Sequence, residues 1–132
     1  MVAIVLDASS TVRSKIEDLL QSMGYKGLDI QMYDDAAEAL EFFELNEVDL
    51  IFSSIEMEGI DGVTFVDLIL RKNPNIVSKL FIVTSQINTE HMQDMKDVGA
   101  KKFIKKPIND ASFNHFITSE IEKALHISSK RF

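Results

Sequence analysis

Residues 48–74 read "VDLIFSSIEMEGIDGVTFVDLILRKNP" and contain one strand, one loop and one helix. The apolar run that ends at Ser53 and Ser54 predicts a strand that is buried on both faces. An acidic loop with glycines follows, and a helix is predicted from Gly62 until Pro74, because proline cannot continue a helix. This stretch is the repeating unit of a parallel sheet, and it raises the question of what two serines do at the end of a strand.

The same unit repeats along the whole chain. Residues 2–6 form an apolar run, and residues 9–25 place apolar side chains on one helix face between a Ser or Thr cap and Gly24. The alternation in residues 28–34 predicts a strand near a sheet edge. Further strands are predicted in residues 78–86 and 101–107, and further helices in residues 34–46, 88–100 and 109–127. Five strands that alternate with five helices predict a doubly wound α/β sandwich, in which a parallel five-stranded sheet carries helices on both faces.

The composition excludes several classes of function. Because 45% of the 132 residues are hydrophobic, residues 1–132 are expected to form a single domain with one core. The net charge of −7 argues against direct binding of nucleic acid, which requires clustered Lys and Arg. The absence of cysteine leaves no disulfide or thiolate site. No apolar run reaches the roughly 20 residues that cross a bilayer, and the chain starts without a basic leader, so a cytoplasmic protein without membrane contact is expected.

Polar residues collect where the predicted strands end. Ligands of open parallel sheets bind beyond the carboxyl ends of the strands, so these residues form the candidate site. They are Asp7, Ala8 and Ser9 after strand one, Ser53 and Ser54 after strand three, Thr84 and Ser85 after strand four, and Lys106 and Pro107 after strand five. We expect them to meet at one rim of the sheet.

Four segments carry a resemblance to a known family. They are "VLDASSTVR", "DLIFSSIEMEGIDG", "FIVTS" and "GAKKFIKKP", in this order along the chain. Together they resemble the receiver domain of two-component response regulators of the chemotaxis type, and the resemblance covers essentially the whole chain. It implies a flavodoxin-like fold with strand order 2-1-3-4-5. It also implies a phosphoacceptor aspartate that lies beside a magnesium ion.

The chain departs from this family at its acidic positions. The two adjacent acidic residues that end strand one in the family fall on Asp7 and Ala8, and the phosphoacceptor aspartate falls on Ser54. The loop proline of the family is replaced by Glu58. The chain is therefore interpreted as a degenerate receiver, or pseudo-receiver, that lacks the phosphoacceptor aspartate.

Other positions of the family are retained. The hydroxyl residue that contacts the phosphoryl group corresponds to Thr84, the switch aromatic to Phe103, and the phosphate-pairing lysine to Lys106. Thr84 alternatively bonds only the backbone, and Phe103 alternatively packs only in the core. The resemblance implies a cis bond between Lys106 and Pro107, although cis is the minority form of an arbitrary X-Pro bond, at roughly one in twenty.

Loss of the carboxylates changes the chemistry expected at the rim. An aspartate is nucleophilic at neutral pH, whereas the hydroxyl of Ser54 needs a general base, for which Asp7, Glu56 and Glu58 are the candidates. Magnesium is attracted by carboxylates, so its binding is expected to be lost or weak, and no other cofactor is expected. Lys106 is expected to bond to Asp7, to Ser54 or to water. No enzyme is predicted, because no glycine-rich phosphate loop and no nucleophile elbow occur.

Simpler structural roles remain open for several of these residues. In this alternative, Ser54 is a small residue that only packs in the core, and Lys106 is a member of a structural ion pair. Asp61 and Gly62 shape the loop and cap helix three, because Asp and Gly suit tight turns.

Two functions from different classes fit the sequence. In the first, the domain acts by protein-protein interaction with a histidine kinase, an output domain or another signalling protein, and a homodimer is also open. The surface expected to do so lies on helix four, strand five and helix five and includes Met92, Met95, Phe103, Lys105 and His115. In the second, the chain is a working phosphorelay receiver with an unconventional acceptor, for which the candidates are Ser54, Ser53 and Glu56. In either case the chain is alternatively the receiver fragment of a longer regulator.

Overall fold

The computed structural model of the protein describes residues 1–55, 61–85, 89–108 and 118–125. Five strands are present in these ranges: β1 (Val2–Leu6), β2 (Asp29–Tyr33), β3 (Leu50–Ser54), β4 (Leu80–Thr84) and β5 (Lys102–Lys105). The helices in the same ranges are α1 (Ser10–Ser22), α2 (Ala36–Leu45), α3 (Gly62–Lys72), α4 (Thr89–Asp97) and α5 (Thr118–Leu125), with a 3-10 helix at Pro74–Lys79.

The five strands form one sheet in the order β2-β1-β3-β4-β5, and every neighbouring pair is parallel. The chain moves outward from β1 to β2, then crosses to β3 and continues to β5. The strand order reverses between β1 and β3, which places a ligand crevice at the carboxyl ends of these two strands. The predicted doubly wound, flavodoxin-like sandwich with order 2-1-3-4-5 is confirmed.

Helices cover both faces of the sheet, because the strands are apolar on both sides. Val5 and Phe52 belong to the core cluster that α1 and α5 cover. Leu6 and Ile82 belong to the cluster on the other face, which α2, α3 and α4 cover. β3 and β4 are buried along their whole length, as expected of central strands in a parallel sheet.

Side-chain caps fix where the helices begin. Ser9 caps α1 by accepting the amide of Val12, and Asp35, rather than Asp34, caps α2. Both aspartates precede the apolar stripe of α2, so the sequence pattern alone does not decide which of them is the cap. Gly24 follows α1 with a φ of 77°, in the left-handed region that favours glycine.

Two local predictions need correction. The strand predicted from residue 78 begins at Leu80, because Pro74–Lys79 forms a 3-10 helix that Asn73 caps. β2 is an edge strand as predicted, but Met32, which shares one side of the strand with Leu28 and Ile30 in the alternating pattern, is 39% exposed. None of the helices within the described ranges is both long and apolar enough to cross a membrane.

Candidate functional site

The candidate site lies at the carboxyl end of the sheet, where four strands present polar residues. Asp7 directly follows β1, Ser54 ends β3, Thr84 ends β4, and Lys106 directly follows β5. The pairing of Leu6 with Ser53 places the next residues, Asp7 and Ser54, level with each other on neighbouring strands. Strands in one sheet lie about 4.8 Å apart. The register therefore places these residues at one rim, as predicted.

An ion pair between Asp7 and Lys106 crosses this rim. The Lys106 Nζ lies 2.8 Å from Asp7 Oδ2, and the two side chains are 19% and 4% exposed, respectively. Because β3 and β4 lie between β1 and β5 in the sheet, the pair closes over the ends of both strands. Of the three partners that the sequence left open for Lys106, namely Asp7, Ser54 and water, the structure shows an ion pair with Asp7.

Asp7 is held by further contacts. Its Oδ1 accepts the backbone amide of Ser9 at 2.9 Å, and its own carbonyl oxygen accepts Nη1 of Arg13 at 2.6 Å. Oδ2 faces the ammonium of Lys106 without a directed hydrogen bond from any group in the described part of the chain. Both carboxylate oxygens are thus already engaged, one by an amide and one by a cation.

Arg13, the last residue of the segment "VLDASSTVR", is a member of the site that the sequence did not predict. The signal for this contact is a long basic side chain in the first turns of α1, from which it reaches back to the end of β1.

The two serines lie on opposite faces of β3. Alternation places Ser54 on the same face as Phe52, and Ser53 on the face of Ile51. Ser54 is 3% exposed and Ser53 is fully buried, with its Oγ donating to the carbonyl oxygen of Ser54 at 3.2 Å. Asp7 continues the face of Val5, which is also the face of Ser54. Of the two hydroxyl groups, that of Ser54 is therefore on the side of Asp7.

Gly62 and Asp61 close the loop against the end of β3. The Gly62 amide donates to the carbonyl oxygen of Ile55 at 3.1 Å. A Cβ at Gly62 would collide with the carbonyl oxygen of Ser54 and would lie 2.7 Å from that of Ile55, so only glycine fits. Asp61 Oδ1 accepts the amide of Thr64 at 2.7 Å, which confirms that Asp61 caps α3.

Thr84 ends β4 at the rim, and Phe103 lies on β5 beside α4. Thr84 is 4% exposed, and its carbonyl oxygen accepts the amide of Lys106 at 2.8 Å. The bond between Lys106 and Pro107 is cis, as the resemblance implied. Phe103 is half-buried against the core, and the Lys96 ammonium lies 5.7 Å from the centre of its ring. Phe103 thus has a core contact and a partly exposed surface at the same time.

The side chains described at the rim do not fit magnesium. In the described ranges no three His, Cys, Asp or Glu side chains come together in a group that could hold a metal ion. Asp7 is already paired with a cation, Ala8 offers no oxygen from its side chain, and Ser54 offers a neutral hydroxyl in place of a carboxylate. Glu56, which with Asp7 and Ala8 was expected to form what remains of the family's acidic pocket, lies outside the described residues.

The expected partner surface on α4 and β5 is only partly exposed. Met95 was placed on this surface, and that placement is wrong, because Met95 is fully buried in the core. Met92 is half-buried and packs against the same core cluster, whereas Lys105 is exposed. His115 lies outside the described residues.

Comparisons with known proteins agree on one family. A model of the response regulator receiver domain matches residues 2–118. A chemotaxis protein CheY of Treponema pallidum is 30% identical over 108 residues, which are 80% of this chain and 72% of that protein. A cyclic di-GMP phosphodiesterase of Thermotoga maritima is 28% identical over 109 residues, 83% of this chain. The chain spans only 28% of the length of that relative, and 30% and 37% of the next two.

A solved structure supports the same fold. The CheY-like receiver domain protein of Methanospirillum hungatei superposes with a TM-score of 0.80 at 18% identity. The superposition covers 95% of this chain and 96% of that one. At this identity the likeness concerns the arrangement of strands and helices.

Proposed function

This chain belongs to the response regulator receiver domain family, and on that premise we propose that it acts in two-component signalling through protein contacts, without an aspartyl phosphate. The observation that carries the proposal is the ion pair between Asp7 and Lys106 across the rim. In this pair the lysine neutralises the carboxylate at the strand end beside Ser54. The proposal extends to partners of the class of histidine kinases, output domains and other signalling proteins.

The chemistry of phosphoryl transfer supports the first half of the proposal. Transfer to a protein side chain needs a nucleophile and positive charge at the developing phosphoryl oxygens. The hydroxyl of Ser54 must lose a proton when it attacks, and the oxygens of Asp7 are engaged by the Ser9 amide and by Lys106. Without a carboxylate at position 54 and a second one at position 8, the described rim has neither a ready nucleophile nor the charge that attracts a divalent cation.

The second half of the proposal concerns how the rim reaches the outer surface. Lys106 joins Asp7 through its side chain and Thr84 through its amide, so one residue ties β1, β4 and β5 together. Phe103 and Lys105 lie on the strand that immediately precedes it, and Phe103 meets Lys96 of α4. We infer that the pair fixes one arrangement of the α4 and β5 surface in the absence of phosphate. Contacts at that surface then carry the signal.

Replacement of the chromosomal gene tests this function in the cells from which it comes. Ser54→Ala removes the hydroxyl and is expected to leave the signalling output unchanged. Lys105→Glu reverses an exposed charge on β5 and is expected to abolish it. Lys26→Glu, an equal charge reversal at an exposed loop after α1, is the matched control and is expected to behave as the native protein. An output lost in Ser54→Ala would contradict the proposal and would favour a phosphorelay receiver with an unconventional acceptor.

A further inference from the structure

Charge is distributed very unevenly along this chain. Between Gly27 and Leu70 there are twelve acidic residues and no Lys, Arg or His, whereas Arg71 to Ile108 contains eight Lys or Arg and three acidic residues. The sheet order separates β2, at one edge, from β5, at the other, although Lys72 at the end of α3 lies 3.8 Å from Glu44 of α2. Four strand spacings of about 4.8 Å place the two edges about 19 Å apart. The acidic edge consists of β2 and the helix that follows it.

The acidic edge also carries exposed apolar surface. Leu45, the last residue of α2, is 77% exposed. Phe42 lies three residues before Leu45, on the same side of the helix, and is half-buried. Its ring contacts that of Tyr33 on β2, with the ring centres 6.2 Å apart. An apolar strip therefore runs from the edge strand to the end of α2.

Carboxylates flank this apolar strip. Glu38 is one helical turn before Phe42, and Glu41 is one turn before Leu45, and both are exposed. Burial first, and then the charges of Glu38, Asp29 and Glu41, raise the pKa of Tyr33 above 10.0. The three carboxylates are thus close enough to act on one phenol. We call this region, with Tyr33, Phe42, Leu45 and the acids Asp29, Glu38 and Glu41, the α2 surface.

We propose that the α2 surface docks a cationic segment of a protein partner, in which Lys or Arg residues flank one large apolar side chain. The apolar side chain covers Leu45 and the exposed part of Phe42, and the cations meet Glu38 and Glu41. Charge complementarity selects this occupant, because residues 27–70 contain no Lys, Arg or His and the net charge of −7 attracts cationic partners. Lys72, which approaches α2 from α3, pairs with Glu44 rather than with Glu38 or Glu41. Because the α2 surface lies on the edge opposite β5, this inference is independent of the function proposed above.

Fluorescence anisotropy with a designed peptide tests the proposal. The probe is a labelled helical peptide with lysines on both sides of a short leucine strip. Two matched probes replace the leucines by serine or the lysines by glutamate. The first probe is expected to bind in a salt-sensitive manner, the serine probe about tenfold more weakly, and the glutamate probe not at all.

Variants of the protein locate the binding site of the probe. Leu45→Ser and Glu41→Lys are each expected to lower the affinity for the leucine and lysine probe about tenfold. Leu68→Ser on α3 and Asp94→Lys on α4 are matched controls, because they make equivalent changes at exposed positions elsewhere. Their affinities for the same probe are expected to stay within about twofold of that of the native protein. All four side chains are on the surface, and circular dichroism verifies that each variant is folded.

Three results would overturn the proposal. One is equal weakening by the controls, which would indicate non-specific attraction to an acidic protein. Another is undiminished binding to the serine probe, which would exclude a role for the apolar strip. The third is self-association of the native chain in sedimentation velocity that Leu45→Ser abolishes, which would assign the α2 surface to a second copy.

Discussion

Breaking the ion pair between Asp7 and Lys106 should destabilise the domain, and Lys106→Met is the sharpest perturbation. Methionine keeps most of the apolar stem of the lysine and removes the ammonium. Asp7 would then retain the Ser9 amide on Oδ1 but lose the cation that lies 2.8 Å from Oδ2. A carboxylate with a side-chain exposure of 4% would be left without a counter-charge.

The expected magnitude follows from the burial of the two groups. Removing one partner of a fully buried pair costs about 3–5 kcal/mol of unfolding free energy. Lys106 is 19% exposed and the Ser9 amide still serves the carboxylate, so the lower value of about 2–3 kcal/mol is expected. For a domain of this size, the corresponding fall in Tm is about 10 °C.

A double-mutant cycle measured by urea unfolding isolates the pair. The variants are Lys106→Met, Asp7→Asn and the two combined, and circular dichroism follows unfolding. Because the second substitution removes a group that the first has already left unpaired, the combined loss should be smaller than the sum by about 1–3 kcal/mol. Lys105→Met, the adjacent exposed lysine, is the control and should stay within about 0.5 kcal/mol of native. Additive losses, or a Lys106→Met variant as stable as the control, would refute the reasoning.

Two further predictions concern other parts of the structure. Gly62→Ala should lower the unfolding free energy by about 1–3 kcal/mol, because the new Cβ meets the carbonyl oxygens of Ser54 and Ile55; a variant as stable as native would show that the loop yields freely. In a Tyr25→Phe background, absorbance of the remaining phenol should show that Tyr33 titrates above 10.0, owing first to burial and then to nearby carboxylates. The folded state then holds this proton more tightly than the unfolded state, so the contribution to stability is complete below pH 10 and is lost as the pH rises through the folded pKa. A midpoint at or below 10.0 would contradict this prediction.

The fold could be predicted from the sequence because its strands are apolar and its helices are capped. The continuous apolar runs before Asp7 and Ser54 indicate central parallel strands, and the alternation around Ile30 indicates an edge strand. The pattern of each strand reflects its place in the sheet, because central strands are buried on both faces whereas an edge strand is partly exposed. Asp35 and Asp34 could not be separated, since both suit a cap and only the backbone decides which one accepts the amide.

The sequence predicted which residues lie at the candidate site, but it predicted less well how exposed the side chains of the partner surface are. The bond between Lys106 and Asp7 could be anticipated, because one cation and one carboxylate at the same rim attract each other. The burial of Met95 was missed, since a short helix with methionines at two positions does not indicate which of them faces the core. The contact of Arg13 with the Asp7 carbonyl oxygen was also missed, because a long flexible side chain has several partners within reach.

The chemistry of the rim is the central claim, and intact-mass spectrometry tests it most directly. The native chain and a Ser54→Asp, Ala8→Asp double variant are incubated with magnesium and acetyl phosphate, and the mass of each is measured. We predict that the native chain keeps its mass, whereas the double variant gains one phosphoryl group, because it regains a nucleophilic carboxylate and a second acid for the metal. A phosphoryl group on the native chain would contradict the account, and mapping the modified residue would identify the acceptor.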